Sequence, residues 1–438
     1  VLIFPEGTRV RPGPLGTPKR GIGRLALESG APIVPLAVIG TEDVRKGWRI
    51  RPPRITIRAG RPLTYPRVER PSKQLAQAVT DRIWPCVALQ WEWLGGLPPL
   101  RTAAVVGAGS MGTAIAVLLA RAGLDVQLGC RGADQAVRLR EEGANAAYLP
   151  DAELPESLRV TTTAEIEFGG IDLVVLAVPS REVPQVVAQV GARVGGRSAV
   201  LLLAKGLVAP LGSRPTDYVQ ARVAARAVAY LGGPAHAAEM VSHGAAIVLA
   251  SADEDLRHQL AGVLTRAGLD VEQTDDVIGA ELGGCAKNAA TLAASVAATV
   301  SNNAAGGAAG RVFAEAYRLA IAAGARPDTL VGLAGVGDLV GTALAPGSRN
   351  RRAGKLLAEG VPADRVPSLL GCAAESLDAV PLLVGALDRA GVDCPATRGL
   401  AALVAGETTA ERWIEELEAG RPAGGGASPG TARLASDG

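Results

Sequence analysis

Aromatic residues make up 3% of the 438 positions (five Trp, five Tyr, three Phe), and the chain has two methionines and three histidines. So few large rings argue against an aromatic-rich β-sandwich and favour Ala-rich helices packed on strands of small residues. The five cysteines (86, 130, 285, 372, 394) form no Cys-x-x-Cys pair, and the histidines do not cluster. That spacing speaks against a structural zinc site and a disulfide framework, and for a reducing, cytoplasmic setting. No signal-peptide pattern stands at the start. The formal charge of +2 argues against a dedicated nucleic-acid binder. What is present suffices for sizeable cores: 48% of residues are apolar, and the length suits about three domains.

The mean charge hides a division. Residues 1–100 hold 16 Lys/Arg against 7 Asp/Glu, and the other 338 hold 29 against 36. The first hundred also carry 14 of the 29 prolines and four of the five tryptophans. This composition shift reads as two proteins joined end to end, with the seam at Trp91–Arg101, where Gly-Gly and Pro-Pro break any periodic element. Val1–Phe4 reads as a buried-strand run, so the chain begins as if in mid-domain.

Thr102–Ala120 is 19 residues without a charge, close to the length of a membrane span. Three glycines inside it would each cost about 1 kcal/mol in a single helix. The run instead splits into a strand (Thr102–Val106), a turn, and a helix (Met111–Ala122). The turn, Gly107-Ala108-Gly109-Ser110-Met111-Gly112, is a G-x-G-x-x-G. Gly107 permits the tight turn, Gly109 lets backbone approach a pyrophosphate, and Gly112 lets helix and strand pack closely. The helix start at Ser110 and Met111 faces the anion. Further strands at Asp125–Gly129, Ile171–Pro179 and Ser198–Ala204, alternating with helical stretches, predict an α/β, doubly wound parallel sheet. Ligands bind beyond the carboxyl ends of such strands, where Pro179, Ser180 and Lys205 fall. The second strand ends at Gly129-Cys130-Arg131 without the acid of an NAD-selective site. Arg131 reads equally as a solvated surface residue or as the partner of a 2′-phosphate, so both NAD and NADP are allowed.

From about Gly279 the pattern becomes long Ala-rich helices. Lys287, in Glu281–Asn288 (ELGGCAKN), is either a snorkelling surface lysine or a buried one with a lowered pKa. Gly335-Val336-Gly337-Asp338 reads as a Gly-supported loop delivering a carboxylate. Ser348-Arg349-Asn350-Arg351-Arg352 reads as a phosphate-binding cluster. A lysine, a carboxylate and an anion-binding arginine after a dinucleotide fold suggest carbonyl reduction of a small phosphorylated substrate.

Residues 101 to about 418 resemble the bacterial-type NAD(P)-dependent glycerol-3-phosphate dehydrogenases. The landmarks are GAGSMGTAIA (107–116), NAAYLP (145–150), VPS (178–180), AKGL (204–207), GPAHAAE (233–239), ELGGCAKN (281–288), GLAGVGDLVGT (332–342) and SRNRR (348–352). The resemblance implies a Rossmann-type domain (101–278), a helical substrate domain (279–418), and reversible hydride transfer between NAD(P)H and dihydroxyacetone phosphate, giving sn-glycerol 3-phosphate. It implies that Lys287 is the general acid/base and Lys205 a second active-site lysine. Asp338 orients Lys287, with Asn288 and Thr342 beside it. It further implies that Ser348, Arg349 and Asn350 grip the substrate phosphate, with Gly233 and Ala235 in the substrate site. Arg131, Pro179, Lys205, Ala237, Arg349 and Glu375 join the glycine loop as cofactor contacts.

Two departures stand out. The family usually has Ser-Gly-Pro-Thr/Ser where this chain has Gly232-Gly233-Pro234-Ala235. One lost hydrogen bond, about 0.5–1.5 kcal/mol, predicts a weakened Michaelis constant rather than a dead enzyme. The second is Asn303-Ala304-Ala305-Gly306-Gly307, where the family tends to carry a basic residue followed by an apolar helix start, and glycines 306, 307 and 310 are expected to loosen that helix.

Within residues 1–95, Phe4-Pro5-Glu6-Gly7-Thr8-Arg9 and Ile33-Val34-Pro35-Leu36-Ala37-Val38 resemble two motifs of the 1-acylglycerol-3-phosphate acyltransferases, the first their glycerophosphate-binding motif (Glu6, Gly7, Thr8, Arg9). That family's Asn-His-x4-Asp element is absent, since the histidines stand at 236, 243 and 258. The resemblance therefore implies a partial domain that binds a glycerophosphate without transferring an acyl group, compatible with a fragment of an acyltransferase/dehydrogenase fusion. Its basic balance suits peripheral membrane contact. A homodimer is compatible with the sequence, and residues 419–438 read as a disordered tail. Other readings are a non-catalytic dinucleotide sensor and a dehydrogenase of another hydroxy acid. Usable Lys287 and Asp338 argue against the first, SRNRR and GLAGVGD against the second.

Overall fold

The computed structural model describes residues 1–7, 15–41, 45–46, 49–50, 55–94, 99–345, 347–371 and 374–419. Thr8, Arg9 and positions 420–438 of the expected tail lie outside the described residues.

In the first segment α1 (Gly21–Ser29) and α2 (Lys73–Trp93) pack through Ile22, Ala26, Leu27, Val79 and Ile83. Beside them β1 (Leu36–Ile39) and β2 (Thr56–Ala59) pair antiparallel. Val1–Phe4, expected as a buried strand, is exposed and irregular. An apolar run becomes a buried strand only when neighbours take its backbone groups on both edges, and no described strand does so here.

The second segment carries β3 (Thr102–Val106), α3 (Ser110–Arg121), β4 (Asp125–Cys130), α4 (Ala133–Glu142), β5 (Leu158–Thr162), β6 (Leu173–Leu176), α5 (Val183–Val190), β7 (Ala199–Leu202) and α6 (Pro215–Gln220). It continues with β8 (Ala227–Gly232), α7 (Ala237–His243), β9 (Ala246–Ala250), α8 (Glu254–Arg266) and β10 (Asp270–Thr274). The sheet order is β10-β9-β8-β7-β6-β3-β4-β5. All pairings are parallel except β8 with β9, so the sheet is mixed rather than wholly parallel. The reversal has a local cause: β8 and β9 are joined only through Gly233–Ala245, carrying the short α7, and the second strand returns beside the first. β3 and β6 are neighbours, yet their crossovers run to opposite edges, which opens a crevice at their carboxyl ends. The two faces of the sheet are covered separately, one by α3 and α8, the other by α5 and the first turns of the next helix.

That helix, α9 (Val277–Ala297), is apolar on almost every side and therefore buried on almost every side. The Asp276 carboxylate caps it, accepting from Gly279 N at 2.8 Å. Around it lie α10 (Asn302–Ala322), α11 (Pro327–Val331), a π-helical turn (Leu333–Gly337), α12 (Asp338–Leu344), α13 (Arg349–Ala358), α14 (Val366–Leu370), α15 (Glu375–Arg389), α16 (Pro395–Ala405) and α17 (Ala410–Ala419). No single helix among the described residues is long and apolar enough to cross a membrane. The stretch Thr102–Ala120 is the expected strand, turn and helix.

α10 runs unbroken through its three glycines. Ser301 caps it, accepting from Ala304 N at 3.0 Å, and Val312, Ala316, Leu319 and Ala320 bury its later turns. Tertiary burial outweighs local propensity here. On the same helix Glu315 is buried and serves α16: its carboxylate accepts from Ala396 N at 2.9 Å, Thr397 N at 2.7 Å and Thr397 Oγ1 at 2.6 Å. Replacing it with Ala leaves two first-turn amides buried without partners. Glu315→Ala is expected to lower unfolding free energy by about 3 kcal/mol, read as a fall in the urea midpoint at unchanged slope. A change under about 0.5 kcal/mol would mean that water reaches those amides.

Candidate active site

The crevice is a cleft of about 770 Å³, within the range of small-molecule sites. Its floor is the glycine turn. Gly107 has φ +109°, and a Cβ there would stand 2.7 Å from Ala177 O. A Cβ on Gly112 would stand 1.8 Å from Gly107 O, so α3 reaches β3 only because no side chain intervenes. Gly109 faces open space, and with Ser110 and Met111 it presents the amino end of α3 to the cleft. The turn is held from behind: Gln135 Nε2 donates to Ala108 O at 3.0 Å, and Asn145 Nδ2 to the same oxygen at 3.1 Å and to Thr113 Oγ1 at 2.7 Å. This cradle fits a dinucleotide pyrophosphate.

Past the turn, three segments bring charges together. Lys205 follows β7, Lys287 lies in the middle of α9, and Asp338 begins α12 after the π-helical turn. The expected loop is thus helical. Its Ala334 carbonyl packs where a Cβ on Gly283 would stand 3.0 Å away, which seats the turn on α9. Lys205 Nζ donates to Asp338 Oδ2 at 2.6 Å and to Gly233 O at 2.9 Å. Lys287 Nζ lies 3.3 Å from Asp338 Oδ1 and donates to Thr342 Oγ1 at 3.1 Å, and that hydroxyl donates to Asp338 Oδ1 at 3.2 Å. Of the two readings of Lys287, the buried one holds: the residue is 6% exposed.

Burial, and then the neighbouring Lys205 charge, pull the Lys287 ammonium down to about 8 against the opposing pull of Asp338. Burial alone would raise the Asp338 carboxyl, but the two lysines override it and hold it below the ordinary carboxylate range. Two ammonium groups and one carboxylate leave this cluster one positive charge in excess. Such a charge, fixed in a water-poor site, favours an oxyanion over a neutral carbonyl.

A second layer fixes the first. Asn288 Nδ2 donates to Lys205 O at 2.8 Å, Asn350 Nδ2 donates to Asn288 Oδ1 at 2.7 Å, and Ser376 Oγ donates to Asn350 Oδ1 at 2.9 Å. Asn350 and Ser348 stand in the wall of the cleft with Arg349. The Ser348 hydroxyl accepts from Arg351 N at 3.3 Å and caps α13. Glu375, at the start of α15, accepts from Ser180 N at 2.9 Å and Lys205 N at 3.2 Å.

Most sequence-predicted residues therefore line one cleft: the glycine turn, Arg131, Pro179, Lys205, Ala235, Lys287, Asn288, Asp338, Thr342, Ser348, Arg349, Asn350 and Glu375. Ala237 instead begins α7 and packs against the core beneath the sheet. Gly112 and Gly233 act through backbone packing and a carbonyl. Gly232, one of the departures, makes room for Tyr230, whose Cε1 a Cβ there would meet at 2.7 Å. Glu6 and Gly7 lie in the separate first segment, where Gly7 N donates to Phe4 O at 3.1 Å. Sequence reasoning missed Glu182, whose carboxylate pairs with Arg131 Nη2 across the mouth of the cleft. It also missed the Tyr230 hydroxyl, buried without a partner beside Gly284.

Residues 102–257 match the family model described as NAD-dependent glycerol-3-phosphate dehydrogenase N-terminus, and residues 276–415 match its C-terminus. A model described as acyltransferase matches residues 1–39. A glycerol-3-phosphate dehydrogenase (NAD(P)+) of Deinococcus radiodurans is 38% identical over 317 residues, 72% of this chain and 93% of that protein. One from Halorhodospira halophila is 35% identical over 321 residues, 72% of this chain and 96% of that protein. The crystal structure of glycerol-3-phosphate dehydrogenase from Coxiella burnetii superposes with a TM-score of 0.69 at 29% identity, covering 73% of this chain and 99% of that one.

Proposed function

Because the chain belongs to the NAD(P)-dependent glycerol-3-phosphate dehydrogenase family, we propose that Lys287 is its general acid/base in the interconversion of dihydroxyacetone phosphate and sn-glycerol 3-phosphate. The observation that carries this reading is the Lys205–Asp338–Lys287 cluster at the inner end of a dinucleotide cleft. The nicotinamide, when bound, supplies the hydride. Lys287 delivers a proton from Nζ to the C2 oxygen of the substrate as that oxygen gains charge. Lys205 holds its ammonium beside the same oxygen, and Asp338 keeps both lysines in place. Thr342 holds the Lys287 ammonium and Asn288 the main chain at Lys205, and Arg349 with Asn350 and Ser348 binds the phosphate that orients the substrate.

The sign of the pH dependence follows from the Lys287 value of about 8. Reduction needs the protonated amine, so its kcat is expected to fall as pH rises through about 8. Oxidation of glycerol 3-phosphate needs the neutral amine, and its kcat is expected to rise over the same range. Loss of NADH or NADPH absorbance with dihydroxyacetone phosphate, followed across pH in both directions, tests this. Parallel limbs in the two directions would remove Lys287 from proton transfer.

The short acyltransferase match and the basic balance of residues 1–95 support a second, subordinate reading, in which this segment contacts a glycerophosphate or an anionic membrane surface.

A further inference from the structure

The ribose end of the cleft, beyond β4, has two arginines among its described lining residues, Arg131 and Arg181. Each already has a carboxylate. Arg131 Nη2 donates to Glu182 Oε2, and Arg181 Nη1 donates to Asp378 Oδ2 at 3.1 Å. Lys205, Lys287 and Arg349 belong to the other end, through the Asp338 cluster and the chain from Lys205 to Asn288 to Asn350.

Glu182 is the fixed member of its pair. Its side chain is 21% exposed against 80% for Arg131. It closes a 3-10 turn (Ser180–Glu182) in which its amide donates to Pro179 O at 2.9 Å. It also stands directly before α5, where the helix amino end favours a negative charge.

A ribose 2′-phosphate carries between one and two negative charges and needs a guanidinium with free donors. Here it meets a guanidinium already neutralised, and a carboxylate anchored beside it. A 2′-hydroxyl, by contrast, can donate to that carboxylate, as it does to an acid at the end of the second strand in NAD sites. In this chain β4 ends in Gly129-Cys130 and supplies no such acid. We propose that Glu182 is the residue that sets cofactor selectivity. It makes the cleft prefer NADH over NADPH, because it neutralises Arg131 and accepts from a ribose hydroxyl. This assignment rests on the dinucleotide reading of the cleft.

The test is equilibrium binding to the full chain, with NADH and NADPH titrated separately and followed by the fluorescence of the reduced nicotinamide. Wild type is expected to hold NADH about tenfold more tightly, equivalent to about 1.4 kcal/mol. Glu182→Gln keeps the side chain's size and releases Arg131, and it is expected to move the NADPH:NADH affinity ratio about tenfold toward NADPH. Adding Arg131→Ala to Glu182→Gln is expected to abolish that gain, since the gain needs the freed guanidinium. A wild type that prefers NADPH overturns the assignment. So does an unmoved ratio in a Glu182→Gln variant that still binds NADH. Binding of neither nucleotide by folded wild type overturns the dinucleotide reading itself, and the assignment with it.

Discussion

Lys287→Ala is expected to lower kcat for dihydroxyacetone phosphate reduction by about 10²–10⁴-fold, the usual contribution of a positioned proton donor. Nicotinamide binding should be nearly unchanged, because the pyrophosphate cradle is built by the glycine turn and held by Gln135 and Asn145, none of which belongs to α9. The split between binding and turnover is what distinguishes chemistry from a damaged fold. The substitution removes a buried ammonium and with it the cluster's excess positive charge, but leaves Asp338 its pair with Lys205 at 2.6 Å, so no charge is left buried without a partner. The pH limb near 8 should vanish with the amine. Turnover like wild type at pH 7 would remove Lys287 from the mechanism.

Asp338→Asn is expected to do more damage to the protein and comparable damage to the reaction. Its carboxylate is 2% exposed and is the anion shared by two ammonium groups. An amide in its place leaves two like charges facing each other in a buried site. Breaking a buried pair in this way costs about 3–5 kcal/mol. With the upward pull of Asp338 gone, Lys287 falls further below about 8, since burial and Lys205 both push it down. Two readouts follow: a lower urea midpoint, and a reductive limb displaced to lower pH with kcat down by about 10²-fold or more. A variant of normal stability whose limb stays near 8 would mean that Asp338 neither balances nor orients Lys287.

Local features were legible in the sequence wherever one short segment carries its own signal. The strand, glycine turn and helix from Thr102 fall in place because φ > 0 at Gly107 and close packing at Gly112 are requirements of backbone alone. Lys287 could not be assigned to the interior from its own residue type; the apolar surroundings of α9 left both readings open, and only its burial decided between them. The strands past Ala204 (β8, β9 and β10) went unread, and the reversal at β9 is hidden from sequence in any case, because sheet direction depends on the route of a connection, which residue periodicity does not encode. The π-helical turn before Asp338 escaped for a related reason: a run rich in glycine reads as a loop until it packs against Gly283. Glu182 and Glu315 were invisible because their partners are remote. Arg131 is 51 positions from the one, and Ala396 is 81 from the other.

The carboxylate of Glu375 gives the architecture a property that its two family segments conceal. One side chain from the helical half takes the amides of Ser180 and Lys205, 195 and 170 positions earlier, on successive crossovers of the sheet. Ala280 and Ala334, also from that half, sit inside the core on the same face of the sheet. The dinucleotide-binding half is therefore not a detachable module. Cut at residue 278, it would keep its glycine turn but lose what holds the two loops carrying Pro179 and Lys205, and its apolar face would lie open. Any helical half put in its place would have to supply an acceptor for those two amides and an apolar cover for that face.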